Sequence, residues 1–523
     1  MPAWSIRARA ARGEPGDVAI GRDPNILASF LEDAAHFPGG HAGGLVVAAS
    51  EADVAGALRT SRAVLPIGAQ SSLTGGATPM GDVLVSTSRL DRIIAIGSES
   101  VRVQAGVTLA DLDATLERAG RYYPPAPTFT GAFVGGTVAT NAAGAATFKY
   151  GTTRDWVRAV TVVLPSGDVL DVERGATHAH PDGYFDIVLA DRTARVPVPR
   201  YRMPRLPKLS AGYFADREMD LIDLFIGSEG TLGVITEVTL RVLPHRPSMC
   251  LALVPFADRR AALAFVSLLR DTARDTWRTA DARGIDASAI EHMDARCLAL
   301  LREDGVDRAN GLVCPKGAAM ALLVTIELPA GTRADHSYDE IGRALEADAP
   351  DTPLVRFCRL LDAAGVFDDV EIAVPGDRAR AGQLLAAREA VADAVNQRVG
   401  RARRTIDERI EKTAADMIVP FERLDELLAC YDAGFARRGL DIAIWGHISD
   451  GNLHANVIPR SMADVESGRA AILEFGREAI RLGGSPLAEH GVGRNGVKQR
   501  LLEELYGRDG DRKSTRLNSS HRL

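Results

Sequence analysis

Two histidines and a Glu-His pair are the residues whose types and spacing point most directly to chemistry. His447 and His454 stand in the run Ile444 to Pro459, IWGHISDGNLHANVIP, and Glu489-His490 stand in SPLAEHGVG. A buried-looking strand ends at Trp445-Gly446, a Ser449-Asp450-Gly451-Asn452 turn follows, and His454 lies on the returning strand. A tight hairpin puts residues of its two arms within side-chain reach, so both imidazoles can meet one point. Two His and one carboxylate are a ligand set for Zn²⁺ or Mn²⁺ with open positions for substrate. Against this stands the ordinary structural histidine, and Asp450 and Asn452 read as turn formers.

Three glycine-rich runs in the N-terminal half carry a second kind of chemistry. Pro66 to Ala77, PIGAQSSLTGGA, follows a strand; its Gly68, Gly75 and Gly76 allow backbone amides to converge on an anion, with Ser71, Ser72 and Thr74 as added hydroxyl donors. An ordinary glycine turn has the same composition, and the run is neither G-x-G-x-x-G nor a Walker loop. Pro124 to Gly144, PPAPTFTGAFVGGTVATNAAG, is too small and too poor in charge for a solvent face, and suits either a groove against a flat ligand or tight helix–sheet packing. Leu224 to Pro244, LFIGSEGTLGVITEVTLRVLP, is a loop entering a strand.

The elements that must position these runs follow from local signals. Between Gly44 and Pro244 short β-rich runs alternate with turns: a helix from Glu51 to Arg62 capped by Ser50, strands at 64–67, 83–86, 93–96 and 101–104, and a helix at 109–118 capped by Thr108. Pro165-Ser166-Gly167-Asp168 joins strands 157–164 and 169–172 as a hairpin. Arg174 to Asp216 has little periodicity and reads as a long surface insertion. From Cys250 on, strands at 250–256, 321–328, 441–445 and 453–458 alternate with helical patterns at 259–272, 379–398 and 421–438. That pattern predicts an α+β second domain whose antiparallel sheet is covered on one face.

Taken together, the three glycine runs resemble the FAD-binding domain of the vanillyl-alcohol oxidase / p-cresol methylhydroxylase superfamily, in its D-lactate dehydrogenase, glycolate oxidase and D-2-hydroxyglutarate dehydrogenase branch. The resemblance implies an α+β protein with a two-part FAD-binding domain of the p-cresol methylhydroxylase type and an α+β cap with an antiparallel sheet. The expected division is an extension 1–37, FAD-binding domain 38–246, cap 247–440, catalytic segment 441–510 and a non-native tail 511–523. It further implies that Gly68, Ala69, Gln70, Ser71, Ser72, Gly75 and Gly76 hold the pyrophosphate. Pro127, Thr130, Gly135, Gly136, Thr140, Asn141 and Gly144 would line the isoalloxazine and ribityl chain, and Glu229, Gly230, Gly233 and Ile235 would close on flavin and adenosine. Ile67 and Gln70 stand where the family usually has Arg and Gly, and Ala126 interrupts its Pro-Asp-Pro. With no His in the first loop, the FAD is expected to be non-covalent.

The C-terminal motifs resemble those of the same branch. Carried over, His447, His454 and Glu489 are ligands of a divalent metal, His490 is the general base, and Asn456 faces substrate and metal. Arg388, in LLAAREAVADAV, matches the clamp for the substrate carboxylate, where bidentate pairing favours Arg. D-2-hydroxyglutarate enzymes carry a Thr where this chain has Ala392, and a Lys before the D-x-x-V-P motif where Ala414 and Ala415 precede Asp416; Lys412 is out of register. The expected substrate is therefore a small D-2-hydroxy acid such as D-lactate or glycolate. Two rival readings remain: a transferase like alkyl-dihydroxyacetonephosphate synthase, and the flavin subunit of a glycolate oxidase complex. The electron acceptor stays open among a cytochrome, a quinone, an electron-transfer flavoprotein and oxygen; a homodimer is allowed.

Composition limits the alternatives. The chain has 523 residues, 46% hydrophobic and 25% charged, with a net charge of −7, which argues against a broad nucleic-acid or anionic-membrane surface. Such a length calls for two or more domains. The five cysteines form no C-x-x-C pair and leave no iron–sulfur ligand set. The N-terminus lacks the apolar core of a secretory signal and no apolar run approaches a bilayer span, so a cytoplasmic, at most peripheral protein is expected. The polar end DRKSTRLNSSHRL reads as translated adapter sequence, with the natural C-terminus missing.

Overall fold

Local capping signals and turn chemistry set the first unit's elements. In the computed structural model, which describes residues 1–13, 18–125, 129–313, 315–508 and 510, the helix Glu51–Thr60 opens on a capping box between Ser50 and Asp53. Thr108 caps Leu109–Arg118 with its hydroxyl alone, which accepts from Asp111 N. Each cap satisfies an otherwise orphaned amide and contributes about 1 kcal/mol. The strands Val157–Val163 and Val169–Glu173 pair through the expected turn, where Gly167 N–H donates to Leu164 O at 2.8 Å. Pro127 and the 511–523 tail lie outside the described residues.

The chain divides into two units: residues 1–144, 151–244 and 476–523 form the first, residues 145–150 and 245–475 the second. The segment expected as one catalytic piece, 441–510, is thus shared between them, and the division falls inside the helix Met462–Arg481. The first unit holds a parallel sheet ordered Gly44–Val47, Val83–Ser86, Val64–Ile67. Beside it stands an antiparallel sheet ordered Ile93–Ile96, Ser100–Gln104, Val234–Arg241, Val157–Val163, Val169–Glu173.

The stretch expected as a surface insertion is not one. Tyr184–Val188 pairs in parallel with Ser5–Arg7 and antiparallel with Thr193–Pro197, and Phe185 is fully buried. Further on, Ala211 joins a cluster with Leu487, Val492 and Leu502, and Lys208 is buried. Its contacts with Ser5–Arg7 and with Leu487, Val492 and Leu502 are made with segments far along the chain, which no local periodicity records.

The second unit is built on a seven-stranded sheet ordered Glu371–Ala373, Ser248–Phe256, Met320–Leu328, Asp286–Asp294, Ile442–His447, Asn452–Val457, Met417–Ile418. Its neighbours pair antiparallel. Contrary to the one-sided cover expected, both faces are packed. Leu251, Leu253 and Leu323 meet residues of helices Ala295–Glu303 and Arg378–Thr405, while the intervening Cys250, Ala252 and Val324 are buried too, with helix Arg259–Thr279 packed on the sheet. Continuous apolar strands, rather than alternating ones, are the mark of two-sided burial. The helix Arg378–Thr405 runs on past Arg398, where the expected helix ended, burying Val399 and Ala402. Among the described residues no helix is long and apolar enough to cross a membrane.

Candidate functional site

In the first unit the loop after Val64–Ile67 offers backbone rather than side chains. Gln70 adopts φ 50° and its amide donates to Phe30 O at 3.0 Å and Ala77 O at 2.9 Å, which ties the loop's two ends together. Gly75 sits at φ 74°, and a Cβ there would lie 2.6 Å from the Phe37 ring. The amides of Ser71, Ser72, Gly75 and Gly76 donate to no acceptor among the described residues. Unused amides on one short loop form a nest suited to a phosphate group. Leu45, Leu65 and Ile67 of the parallel sheet, from whose last strand the loop springs, form a buried cluster with Leu84.

The second glycine run begins the helix Val134–Thr140, which ends on Asn141 at φ 50°. A Cβ at Gly135 would lie 2.6 Å from that of Ala105, so the helix lies directly against the end of the strand Ser100–Gln104, whereas one at Gly136 would meet nothing within 4 Å. Thr140 donates to Gly136 O at 3.0 Å, and Asn141 Oδ1 accepts from Arg154 N at 2.9 Å. Thr130 is exposed and Gly144 buried. In the third run, Gly230 and Gly233 approach Pro66 and Val162, and Ile235 pairs with Val162 in the sheet. Glu229 does something unforeseen: its carboxylate accepts from Val492 N and Gly493 N, both at 2.9 Å. These flanks, the open space beside Gly136 and the unused amides of the first loop fit a dinucleotide-like flavin.

That clamp fixes the segment following Glu489-His490. Gly493, at φ 54°, crosses so close to Thr74 that a Cβ would strike its side chain, and Arg494 N donates to Thr74 O at 2.9 Å. Glu489 itself accepts from Lys208 Nζ at 2.7 Å, with the Lys208 side chain 0% exposed. His490 Nε2 lies 3.5 Å from the other Glu489 oxygen, and its ring is partly exposed. The chain has six lysines, and one of them is given to this carboxylate.

In the second unit, the strands Ile442–His447 and Asn452–Val457 form the expected hairpin, with Trp445 opposite His454 and Gly451 at φ 78° in the turn. The His447 and His454 rings stand 5.6 Å apart at 89°, near enough for both to face one ion. His447 Nδ1 donates to Glu291 Oε1, which puts the acceptor lone pair of the ring on Nε2, the tautomer of a metal-ligating imidazole. His454 Nδ1 lies 3.6 Å from Asp416 Oδ1. Asn456 donates to His454 O at 3.0 Å, and its buried Oδ1 has no partner among the described residues. This donor set fits a divalent cation.

Arg388 projects from the helix Arg378–Thr405 into the interior, 9% exposed, and its Nε donates to Glu291 Oε2 at 2.5 Å. Its terminal nitrogens make no hydrogen bond among the described residues. Asn452 holds the hairpin to the Asp416 segment by donating to Met417 O at 2.9 Å. Burial pushes His292 down to about 3, and the same cause raises Asp294 to about 6 although it accepts from Cys297 N and Ile444 N. Arg270 is lowered to about 10 by burial, its guanidinium 3.7 Å from the Phe421 ring centre.

Glu291, Asp416 and Lys208 were not among the candidates. Asp416 carried a signal, since it opens the D-x-x-V-P motif, but Glu291 and Lys208 reach their partners across 156 and 281 residues.

With this geometry in view, residues 42–173 match the family described as FAD binding domain, and residues 256–510 that described as FAD linked oxidases, C-terminal domain. The chain is 29% identical over 457 residues to a D-lactate dehydrogenase of Anaerostipes hadrus, covering 84% of this chain and 78% of that protein. It is 29% identical over 436 residues to the mitochondrial D-2-hydroxyglutarate dehydrogenase of Bos taurus, covering 82% of this chain and 65% of that relative's length. The glycolate oxidase subunit GlcD of Bacillus subtilis (strain 168) is 26% identical over 455 residues, with 86% of this chain and 78% of GlcD covered. A solved alkyldihydroxyacetonephosphate synthase shares the fold at TM-score 0.51 and 15% identity, covering 89% of this chain and 74% of its own; at that identity the likeness shows architecture alone. The chain belongs to the FAD-linked oxidases, as an FAD-binding oxidoreductase of the D-lactate dehydrogenase, D-2-hydroxyglutarate dehydrogenase and glycolate oxidase branch that its motifs resemble.

Proposed function

We propose that this chain oxidises a small D-2-hydroxy acid, D-lactate or glycolate, to the 2-oxo acid. Non-covalent FAD, when bound, supplies the acceptor for the hydride lost from the substrate's Cα, and a divalent ion, Zn²⁺ or Mn²⁺, supplies positive charge that lowers the hydroxyl pKa. The loop at Gly68 to Gly76 binds the pyrophosphate through its amides. His447, His454 and Glu489 hold the ion, an assignment that rests on the two motifs. His490 takes the hydroxyl proton, and Asn456 faces the substrate and the ion. The electrons then pass to a cytochrome, a quinone or an electron-transfer flavoprotein.

The observation that carries this reading is Arg388, a buried guanidinium whose two terminal nitrogens are unengaged among the described residues. Such a group needs an anion, and a carboxylate satisfies both nitrogens at once. Ala392 packs against the core and Lys412 bonds Asn396 at 2.9 Å on the surface, so neither offers a second carboxylate a partner in the register expected for 2-hydroxyglutarate. Stopped-flow bleaching of the flavin with D- and L-lactate, glycolate and D-2-hydroxyglutarate tests the proposal. D-lactate or glycolate should reduce it fastest; faster reduction by D-2-hydroxyglutarate, or by none of these acids, overturns it.

A further inference from the structure

Glu291 stands between two groups of the proposed chemistry and belongs to neither. It faces His447 directly across the antiparallel ladder, while Arg388 reaches the same carboxylate from the helix Arg378–Thr405. All three side chains are nearly closed to solvent, at 8%, 4% and 11% exposure. A carboxylate only accepts, so both partners must donate to it. For His447 that fixes the proton on Nδ1 and leaves Nε2 with its lone pair. For Arg388 it occupies the Nε edge of the fork, leaving the edge formed by Nη1 and Nη2.

We infer that Glu291 is a positioning residue with two linked tasks: it sets the ligand tautomer of His447, and it turns Arg388 so that a substrate carboxylate is received end-on, by the two terminal nitrogens. This rests on the proposed metal at His447. The identity of the group at position 291 is then critical in a way that its size is not. In Glu291→Gln the amide oxygen can serve Arg388 only by turning its NH₂ toward His447 Nδ1. The histidine must then accept there and carry its proton on Nε2, where it no longer binds a cation. Glu291→Asp keeps the acceptor-only chemistry on a shorter stem.

The test is Mn²⁺ titration of FAD-loaded, metal-stripped protein, with KM for D-lactate or glycolate measured alongside. Loss of an outer partner of a ligating histidine costs about 10–100-fold in metal affinity, and Glu291→Gln should fall in that range with FAD content unchanged and KM raised. Glu291→Asp should recover a substantial part of both. Wild-type affinity in Glu291→Gln, or equal loss in both variants, overturns the inference. His447→Gln separates it from the reading beneath: if that variant also binds Mn²⁺ normally, the metal assignment itself fails. Selective ¹⁵N-histidine spectra of the metal-stripped wild type need no altered Glu291. The His447 signals, identified by their loss in His447→Gln, should show the Nδ1–H tautomer, and the Nε2–H tautomer overturns the inference.

Discussion

The loop from Gly68 to Gly76 in the first unit and the hairpin from Ile442 to Val457 in the second differ in what presents their polar atoms. On the loop these are amides of Ser71, Ser72, Gly75 and Gly76, held in place by Gln70 and by the Phe37 ring behind Gly75. On the hairpin they are imidazoles, each beside a further buried carboxylate, and a side-chain amide held by the His454 carbonyl. The first arrangement tolerates changes of side chain but not of backbone shape. The second tolerates no change of donor or acceptor, and it is exposed to protonation.

The largest effect should come from the side-chain arrangement. His490→Gln is expected to slow substrate-dependent flavin reduction about 10²–10⁴-fold, the usual contribution of a general base, with FAD retained. A loss under tenfold in stopped-flow traces would remove His490 from that role. At the backbone, Gly75→Ala puts a methyl group 2.6 Å from the Phe37 ring at φ 74°. Left-handed strain of about 1–3 kcal/mol adds to that clash, so FAD occupancy and thermal midpoint should both drop while the hairpin is untouched. Wild-type occupancy would mean that the loop's shape is not what holds the flavin.

Acid should also reach the second unit through His292, on the strand Asp286–Asp294 that pairs with the hairpin. His292 resists protonation down to about 3 in the folded protein, whereas the unfolded chain takes up the proton below the ordinary value of 6.5. Between those values the unfolded state binds more protons, so stability rises with pH and is lost as pH falls through the window. From pH 7 to pH 5 this amounts to roughly 2 kcal/mol. His292→Gln should flatten that part of the fall in thermal midpoint, and an unchanged slope would assign the acid sensitivity elsewhere. The smallest effect is expected for Ser71→Ala, within about 0.5 kcal/mol in stability and with FAD affinity kept, because the amide and not the hydroxyl is the donor. A large loss of FAD would show that side chains matter on the loop as well.

Most of the first unit was readable because its signals are local: Ser50 and Thr108 announce helices, and Pro165 to Asp168 announce a turn. The strand Asp286–Asp294 escaped notice because Glu291, His292 and Asp294 break its apolar character, and the first two are buried for reasons supplied by partners elsewhere. The same holds for Lys208, whose setting between Pro-rich and Arg-rich stretches suggests surface, while its partner Glu489 lies 281 residues on. At the hairpin, spacing brought His447 and His454 to attention, but nothing in their neighbourhood named Glu291. Motifs reveal the groups that carry the chemistry; the residues that aim them follow tertiary contact.

The first unit draws on three stretches of chain, and the last, from residue 476, follows a second unit whose residues 245–475 are continuous. A ribosome adding 5–20 residues per second makes that intervening stretch in roughly 10–50 s. During this interval Leu209 and Ala211 wait for Leu487, Val492 and Leu502, and Lys208 waits for Glu489. The second unit has its whole contiguous sequence, apart from the short 145–150 segment already made, and can condense first. The flavin-binding unit begins synthesis first and is the last to close, which makes those tens of seconds the period when a chaperone would find it open.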